Sequence, residues 1–382
     1  MALLHLMREL PISGTTWSVV FLEEGTMPEL AQAAGVKTYV LNAGHLRQVG
    51  KYAGTVLKLH SIIKIERPDI VFSWMPKAHL YAGPAARLCS VPAFWFQMGF
   101  PVKHKPGLID RALYAMPADG VISCGSRSAE LQREVTPRVP VRCVNLAVDI
   151  EKFDSSVLPT PSVARAELGL PATGKIVGIV ARLERWKGVH TLIKAAPQVL
   201  KDRPDVTFVV VGGAHPFDPG YEQELLTEIE RLGLQANVVM AGAQSNVETW
   251  MQAMDIFVHA SNAEPFGIVI VEAMALGKPV IAGSVGGPTD IITDRENGLL
   301  VDFEDHGSLA TRILEVLGDE ALRQRLSAAA AARAREFSTE IFAHRLVKAL
   351  TELTGNDCRA AEMHYLKRDD DVEKVMRTRE RS

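Results

Sequence analysis

The sequence predicts an α/β protein with two doubly wound, Rossmann-like domains that face each other across a cleft. Short β-branched or aromatic runs alternate with helical stretches along the chain, a pattern typical of parallel sheets with crossover helices. The chain has 382 residues, enough for two substantial cores. A stretch rich in Ser, Pro and Thr at 154–172 is expected to link the two domains.

Each half contains six predicted strands. In the first half they lie near 17–22, 36–41, 69–73, 92–96, 119–123 and 141–145. In the second half they lie near 175–181, 206–212, 237–241, 255–260, 279–282 and 298–302. Helices are expected in the gaps, for example at 187–201, 221–232, 265–276 and 307–317.

These elements predict the domain bounds. The predicted parts are a first domain at 1–153, the link at 154–172, a second domain at 173–337, a helix at 338–354 that crosses back to the first domain, and a polar tail at 355–382.

The beginning of the chain departs from the doubly wound pattern. Such a domain opens with a strand, a tight glycine turn and a helix, whereas this sequence begins directly with a helical pattern. The first strand normally lies at the centre of the sheet. We therefore expect the first domain to lack that strand and to have an open hydrogen-bonding slot at its centre.

The composition of the chain bears on whether it binds nucleic acid, spans a membrane or works in a reducing compartment. A net charge of −3 and an aromatic content of 6% argue against general nucleic-acid binding. The four cysteines are scattered, which predicts a reducing, cytoplasmic setting. No apolar run is long enough for a membrane span. Peripheral contact with the inner membrane face, through Leu3, Leu4, Leu6 and Met7, is an alternative to core packing for these residues.

Glu264 and Glu272 are the strongest functional signal in the chain. Pro265 suits the first position of a helix, which would place Glu264 at the helix mouth and Glu272 about two turns inside. Apolar or small residues separate the pair, so the helix is expected to be buried, and a buried carboxylate needs a partner. Because a helix mouth attracts phosphate and carboxylates suit sugar hydroxyls, the pair indicates a nucleotide-sugar site.

Two cations and two glycine turns are predicted on the same rim. Arg182 follows the first strand of the second half and Lys187 begins the next helix, where the two could clamp a diphosphate. The alternative is that both cations are solvated on the surface. Gly212-Gly213 and Gly286-Gly287-Pro288 also follow strands, consistent with close backbone approach to a ligand or with simple tight turns.

Taken together, residues 175–302 resemble the donor-binding domain of family 4 (group 1) glycosyltransferases, which have the GT-B fold. The resemblance implies a hexosyltransferase-type enzyme that moves a sugar from a nucleoside-diphosphate sugar to a glycan or lipid-linked acceptor. Retention of the anomeric configuration is expected, with neither a metal nor a cofactor.

The resemblance also implies residue roles. Arg182 and Lys187 would hold the diphosphate, and Glu272 would bind the ribose hydroxyls. Glu264 would meet the sugar and the distal phosphate, together with three backbone N–H groups, those of Phe266, Gly267 and Ile268.

Two departures from the family pattern leave alternatives open. The opening strand and Gly-Gly loop are missing, and Met98 stands where the family usually has a histidine that contacts the sugar, with His104 as a nearby substitute. One alternative is a GT-B relative with other chemistry, a sugar-nucleotide epimerase or a disaccharide phosphorylase. The other is a truncated or degenerate sugar-nucleotide-binding protein without turnover.

Overall fold

A computed structural model of the protein describes Leu3, Leu6, Met7 and residues 15–44 and 46–355. All twelve predicted strands are present within a few residues of their expected positions. They are β1 Ser18–Phe21, β2 Lys37–Val40, β3 Val71–Ser73, β4 Ala93–Gln97, β5 Gly120–Ser123, β6 Val141–Cys143, β7 Lys175–Val180, β8 Val206–Val211, β9 Val238–Gly242, β10 Ile256–His259, β11 Val280–Gly283 and β12 Leu299–Val301.

Helices connect these strands, as crossovers between parallel strands require. Those of the first half are α1 Thr26–Ala33, α2 Val49–Glu66, α3 Pro76–Leu88, α4 Leu108–Ala115 and α5 Ser126–Val135. The rest are α6 Pro161–Glu167, α7 Val189–Asp202, α8 Tyr221–Arg231, α9 Val247–Ala253, α10 Ile268–Ala275, α11 Pro288–Ile291, α12 His306–Gly318, α13 Glu320–Ala334 and α14 Thr339–Thr354. None of the helices within the described residues is long and apolar enough to cross a membrane.

Contacts divide the chain into two units. Unit 1 comprises the residues up to Asn145 and the segment from Thr339 onward, and unit 2 comprises Leu146–Ser338. The division therefore falls before the predicted link at 154–172. Part of that link is α6, whose buried Arg165 pairs with Asp255 of unit 2 at 2.6 Å, because a guanidinium removed from water needs a carboxylate partner.

Unit 2 contains one six-stranded parallel sheet in the order β12-β11-β10-β7-β8-β9. The strands are rich in Val and Ile and mostly buried, as expected for a sheet covered by helices on both faces. A continuous hydrophobic core packs the sheet against α7, α8 and α12. The strand order reverses between β7 and β10, and this is the switch point at which doubly wound sheets bind ligands.

Unit 1 contains six parallel strands that form two sheets, β1-β2 and β3-β4-β5-β6. Val20 of β1 and Val71 of β3 pack against the same hydrophobic cluster, although their strands are not paired with each other. β1 is only partly buried, whereas β4 and β5 are fully buried in the larger sheet.

Candidate functional site

Three predicted site residues of unit 2, Arg182, Lys187 and Glu264, lie on loops at the switch point of its sheet. The loop after β7 contains Arg182 and Lys187, and the loop after β10 leads through Glu264 into α10. Strands β7 and β10 are adjacent in the sheet, so these two loops leave neighbouring strand ends. The carboxyl ends of parallel strands at such a point form the crevice where ligands bind.

A backbone hydrogen bond joins the two loops. The N–H of Asn262 donates to the carbonyl of Trp186, with an N–O distance of 2.8 Å. Trp186 and Lys187 belong to a 3₁₀ turn, Arg185–Lys187, and the α-helix expected at 187 begins at Val189. The side chain of Lys187 is thereby held at the rim before the helix begins.

Lys187 and Glu264 form a direct, largely buried ion pair. The Nζ of Lys187 lies 2.5 Å from Oε2 of Glu264, and the two side chains are only 12% and 11% exposed. The ammonium also lies 3.9 Å from the centre of the Trp186 ring, a cation–π contact. On the other side, Nε2 of the fully buried His259 lies 3.0 Å from the same carboxylate oxygen.

These contacts set the protonation states of the cluster. Burial acts to raise the pKa of Glu264, but the hydrogen bond from His259 and the ammonium of Lys187 outweigh it and lower the pKa to about 2. Burial lowers the pKa of His259, so its imidazole is neutral and its Nε2–H donates to the carboxylate. The arrangement holds an ionised glutamate at the rim of the sheet.

The helix that follows Glu264 begins later than predicted. It starts at Ile268, not at Pro265, because Gly267 adopts a left-handed φ of 105° and interrupts the helical backbone. Its first N–H groups have no partner within the helix, so they can meet an anion. Of the three predicted N–H groups, that of Ile268 belongs to the helix, whereas those of Phe266 and Gly267 belong to the turn before it.

The Gly286-Gly287-Pro288 turn packs directly on this segment. The N–H of Gly287 donates to the carbonyl of Glu264 at 2.6 Å. A Cβ atom at Gly287 would lie 2.1 Å from the Cα of Phe266, so only glycine fits. This glycine turn therefore fixes the backbone of the Glu264 segment.

Glu272 lies in a different environment, in the second turn of α10. Burial raises its pKa to about 7, against a smaller opposing effect from the charge of Lys152. Lys152 itself is paired with Glu248 at 3.0 Å. Within the described part of the chain, the Glu272 carboxyl has no hydrogen-bond partner. A nearly buried carboxyl group without a partner indicates a place for ligand donors.

Arg182 is on the same loop as Lys187 but is turned toward different neighbours. Its side chain is 55% exposed, and its Nη2 lies 2.9 Å from Oε2 of the buried Glu184. Its Nη1 lies 3.1 Å from Nε2 of His215, which follows β8. Arg182 is therefore positioned by a carboxylate and remains accessible, although the structure does not bring it into contact with Glu264.

Gly212 and Gly213 form the predicted turn after β8. A Cβ atom on Gly212 would lie 1.7 Å from the carbonyl oxygen of Ala181, so the backbone after β8 is too close to the loop after β7 for any side chain at this position. The carbonyl of Gly213 accepts from the N–H of Leu183 at 3.0 Å. The glycine pair thus supports the Arg182 loop.

Met98 and His104 belong to unit 1. Met98 follows β4 and is partly buried, and His104 is exposed in the loop before α4. The structure therefore places both residues in unit 1, and their predicted contact with the sugar or the acceptor stays a prediction.

The structure adds residues to the candidate site that the sequence pattern does not indicate. His259 is the last residue of a buried strand, where a lone histidine is typical of a core, and its contact with Glu264 depends on how the loop folds back. No pattern indicates the contact of Trp186 with Lys187, or the partners of Arg182, which are Glu184 and His215.

Residues 162–333 match the family described as "Glycosyl transferases group 1". The chain carries a group 1 glycosyl transferase domain. The predicted resemblance to group 1 glycosyltransferases is therefore confirmed for this segment, which contains Lys187, Glu264 and Glu272.

Curated relatives extend the match beyond this group 1 domain. A D-inositol 3-phosphate glycosyltransferase of Corynebacterium urealyticum is 33% identical over 212 residues, covering 54% of this chain and 50% of the relative. The lipopolysaccharide core biosynthesis glycosyltransferase LpsE of Rhizobium meliloti is 28% identical over 272 residues, covering 71% of this chain and 72% of the relative. The chain thus spans about half the length of the first of these relatives.

Solved structures match most of the chain. The Anabaena protein Alr3699/HepE in complex with UDP has a TM-score of 0.79 at 26% identity, with 92% of this chain and 96% of that chain covered. The glycosyltransferase from Rickettsia africae has a TM-score of 0.81 at 20% identity, covering 93% and 95%, and shows the fold alone. The predicted fold class, two doubly wound domains of GT-B type, is confirmed.

Proposed function

We propose that this protein is a retaining glycosyltransferase that moves a sugar from a nucleoside-diphosphate sugar to a glycan or lipid-linked acceptor. The observation that carries the proposal is the Lys187–Glu264 pair at the mouth of α10, at the switch point of the sheet. Solved relatives hold UDP and UDP-glucose, which supports a nucleotide-sugar donor.

The positive groups of the site are suited to a diphosphate. Lys187 has three N–H donors and uses one toward Glu264, so two remain for phosphate oxygens. The first turn of α10 adds N–H groups and the positive end of a helix dipole. These groups would stabilise the charge that develops on the departing nucleoside diphosphate, without a metal.

The two glutamates are suited to the two sugars of such a donor. Glu264 is held ionised and accepts hydrogen bonds only, so it can accept from hydroxyls of the transferred sugar. Glu272 lies in the second turn of α10, where its carboxyl has no hydrogen-bond partner among the described residues, and this place in the helix favours the ribose hydroxyls. Retention with no protein nucleophile would have the acceptor attack from the side on which the nucleoside diphosphate leaves.

Ligand screening tests this proposal first. Thermal unfolding is measured with UDP-, GDP-, ADP- and dTDP-sugars and with the free diphosphates. A ligand at 100 times its Kd stabilises the folded chain by roughly 2.7 kcal/mol. One nucleotide series should raise the melting temperature, and the failure of all of them would refute a nucleotide-sugar site.

Product analysis then tests the reaction class. With a stabilising donor and a panel of glycan and lipid-linked acceptors, a retaining transferase releases nucleoside diphosphate and forms a glycoside of unchanged anomeric configuration, whereas an inverted configuration would contradict retention. Release of a sugar phosphate in inorganic phosphate would instead show a phosphorylase, and conversion of the donor to an epimer would show an epimerase.

A further inference from the structure

A cavity of about 350 Å³ opens at the rim of unit 2, between the loops that follow β7, β8, β10 and β12. Its volume lies in the range of small-molecule sites. The lining shares the 182–188 loop with the proposed donor site but includes none of Arg182, Lys187, Glu264 or Glu272. The cavity therefore adjoins the proposed donor site, since its Trp186 contacts Lys187 and its Glu184 pairs with Arg182, but it presents a different set of side chains.

Three aromatic side chains from three different loops line this cavity, Trp186, Phe217 and Phe303. Phe217 is 85% exposed, so its ring is accessible to a ligand in the cavity. Phe303 lies edge-on to His190, with ring centres 5.8 Å apart. Scattered exposed apolar residues are common, but aromatic rings that converge on one cavity form an apolar surface for a ligand.

Some polar groups of the lining are engaged within the protein. Arg185 forms an ion pair with Glu224, and Oδ2 of Asp218 accepts from the N–H of Arg185 at 2.9 Å. The carboxylate of Glu184 is held by Arg182 and by His215. These contacts shape the floor of the cavity.

Other polar groups remain available to a ligand. The side chain of Glu304 is 63% exposed, and its Oε1 lies 3.4 Å from Nε2 of His190. The carboxamide of Asn262 has no hydrogen-bond partner in the part of the chain that the structure describes. The cavity therefore offers carboxylate and amide groups beside its aromatic faces.

This lining selects among ligand classes. Three carboxylates and one guanidinium line the cavity, so a phosphate or nucleotide would be repelled. A purely apolar ligand would desolvate the Glu304 carboxylate and the Asn262 amide without giving them hydrogen-bond partners. A sugar ring has C–H faces that pack on aromatic rings and hydroxyls that donate to carboxylates and amides. We propose that this cavity is a carbohydrate-binding site for a neutral sugar residue, beside the proposed donor site.

Saturation-transfer difference NMR on the full chain tests the proposal. The probes are the methyl glycosides of glucose, galactose and mannose, and maltose, each at millimolar concentration with saturating UDP present. At least one probe should receive saturation, and Phe217→Ala or Glu304→Gln should reduce that signal several-fold. Val163→Ala, a truncation on the exposed face of α6, is the matched control and should leave the signal unchanged.

Three results would overturn the site. The first is no saturation transfer to any probe, and the second is a signal that survives both variants, each shown by its unfolding curve to be folded. The third is binding of glucosamine without binding of glucose, which would assign the cavity to cations. The affinity for UDP is measured in the same samples, so a failure of the donor site would be seen separately from a failure of this one.

Discussion

Glu264 and Glu272 lie eight residues apart on one segment, yet the structure gives them opposite environments. Glu264 is held ionised between Lys187 and His259, and its pKa is lowered to about 2. Glu272 is half-buried and has no hydrogen-bond partner among the described residues, and burial raises its pKa to about 7. Two identical side chains thus acquire different chemistry from their neighbours, the first as part of a charged cluster and the second as an unfilled acceptor.

The largest effect on turnover is expected from a change in the charged cluster around Glu264. Lys187→Met removes the ammonium that faces both Glu264 and the proposed diphosphate. Turnover of the nucleotide sugar should fall by about 10²–10³-fold, as when a preorganised donor to a developing anion is lost. Steady-state assays of nucleoside diphosphate release measure it.

Arg231→Met is the matched control for Lys187→Met. Arg231 is an exposed cation on α8 that pairs with Glu228 at 2.7 Å, so its loss should leave turnover unchanged. Normal turnover in Lys187→Met would remove this residue from the diphosphate site.

At the second glutamate, Glu272→Gln should stabilise the free protein while weakening nucleotide binding. The native pKa of about 7 lies above the ordinary value of 4.5, so the folded state binds the proton more tightly than the unfolded state. Stability is therefore lost as the pH rises from about 4.5 to about 7, and a glutamine avoids that loss. Denaturant unfolding at pH 8 should show a gain of up to about 3 kcal/mol.

The same comparison at pH 4 provides the control. There Glu272 is protonated in both states, so the two proteins should differ little. An equal effect of Glu272→Gln at pH 4 and pH 8 would contradict a carboxyl that titrates near neutrality.

The sequence predicted the strands and most residues of the candidate site, but not the contacts that give each site residue its environment. Alternating strands and helices located all twelve strands, because periodicity and β-branched runs are local signals. The Glu264–Glu272 spacing and the two cations, Arg182 and Lys187, predicted a site at the carboxyl ends of the strands of unit 2. The contact of His259 with Glu264 depends on a loop turning back on its strand, and the late start of α10 depends on the backbone of Gly267. Spacing alone encodes neither.

A smaller effect is expected from His259, a positioning residue that acts through Glu264. His259→Leu removes one hydrogen bond to the carboxylate, a loss of about 1–2 kcal/mol. Turnover should fall about tenfold with KM little changed, and the acidic limb of the pH–rate profile should move upward as the pKa of Glu264 rises. His259→Asn, which can donate a hydrogen bond, should recover part of the rate. An unchanged acidic limb in His259→Leu would reduce His259 to a core residue.

The smallest effect is the pH dependence of nucleotide binding. Because an ionised Glu272 accepts more hydrogen bonds than a protonated one, affinity should increase between pH 6 and pH 8 by a few-fold, less than the tenfold that about 1.4 kcal/mol represents. Glu272→Gln should lose this increment but keep the part due to titration of the phosphate. Identical pH profiles for the two proteins would exclude Glu272 from the nucleotide contact.

Calorimetric titration with two ligands tests the central claim most directly. The ligands are the nucleoside diphosphate that best stabilises the chain and the corresponding monophosphate. Lys187→Met should weaken the diphosphate much more than the monophosphate, whereas Glu272→Gln should weaken both by the same factor. If Lys187→Met weakened both ligands equally, or Glu272→Gln neither, the division of the site into a diphosphate end and a ribose end would be contradicted.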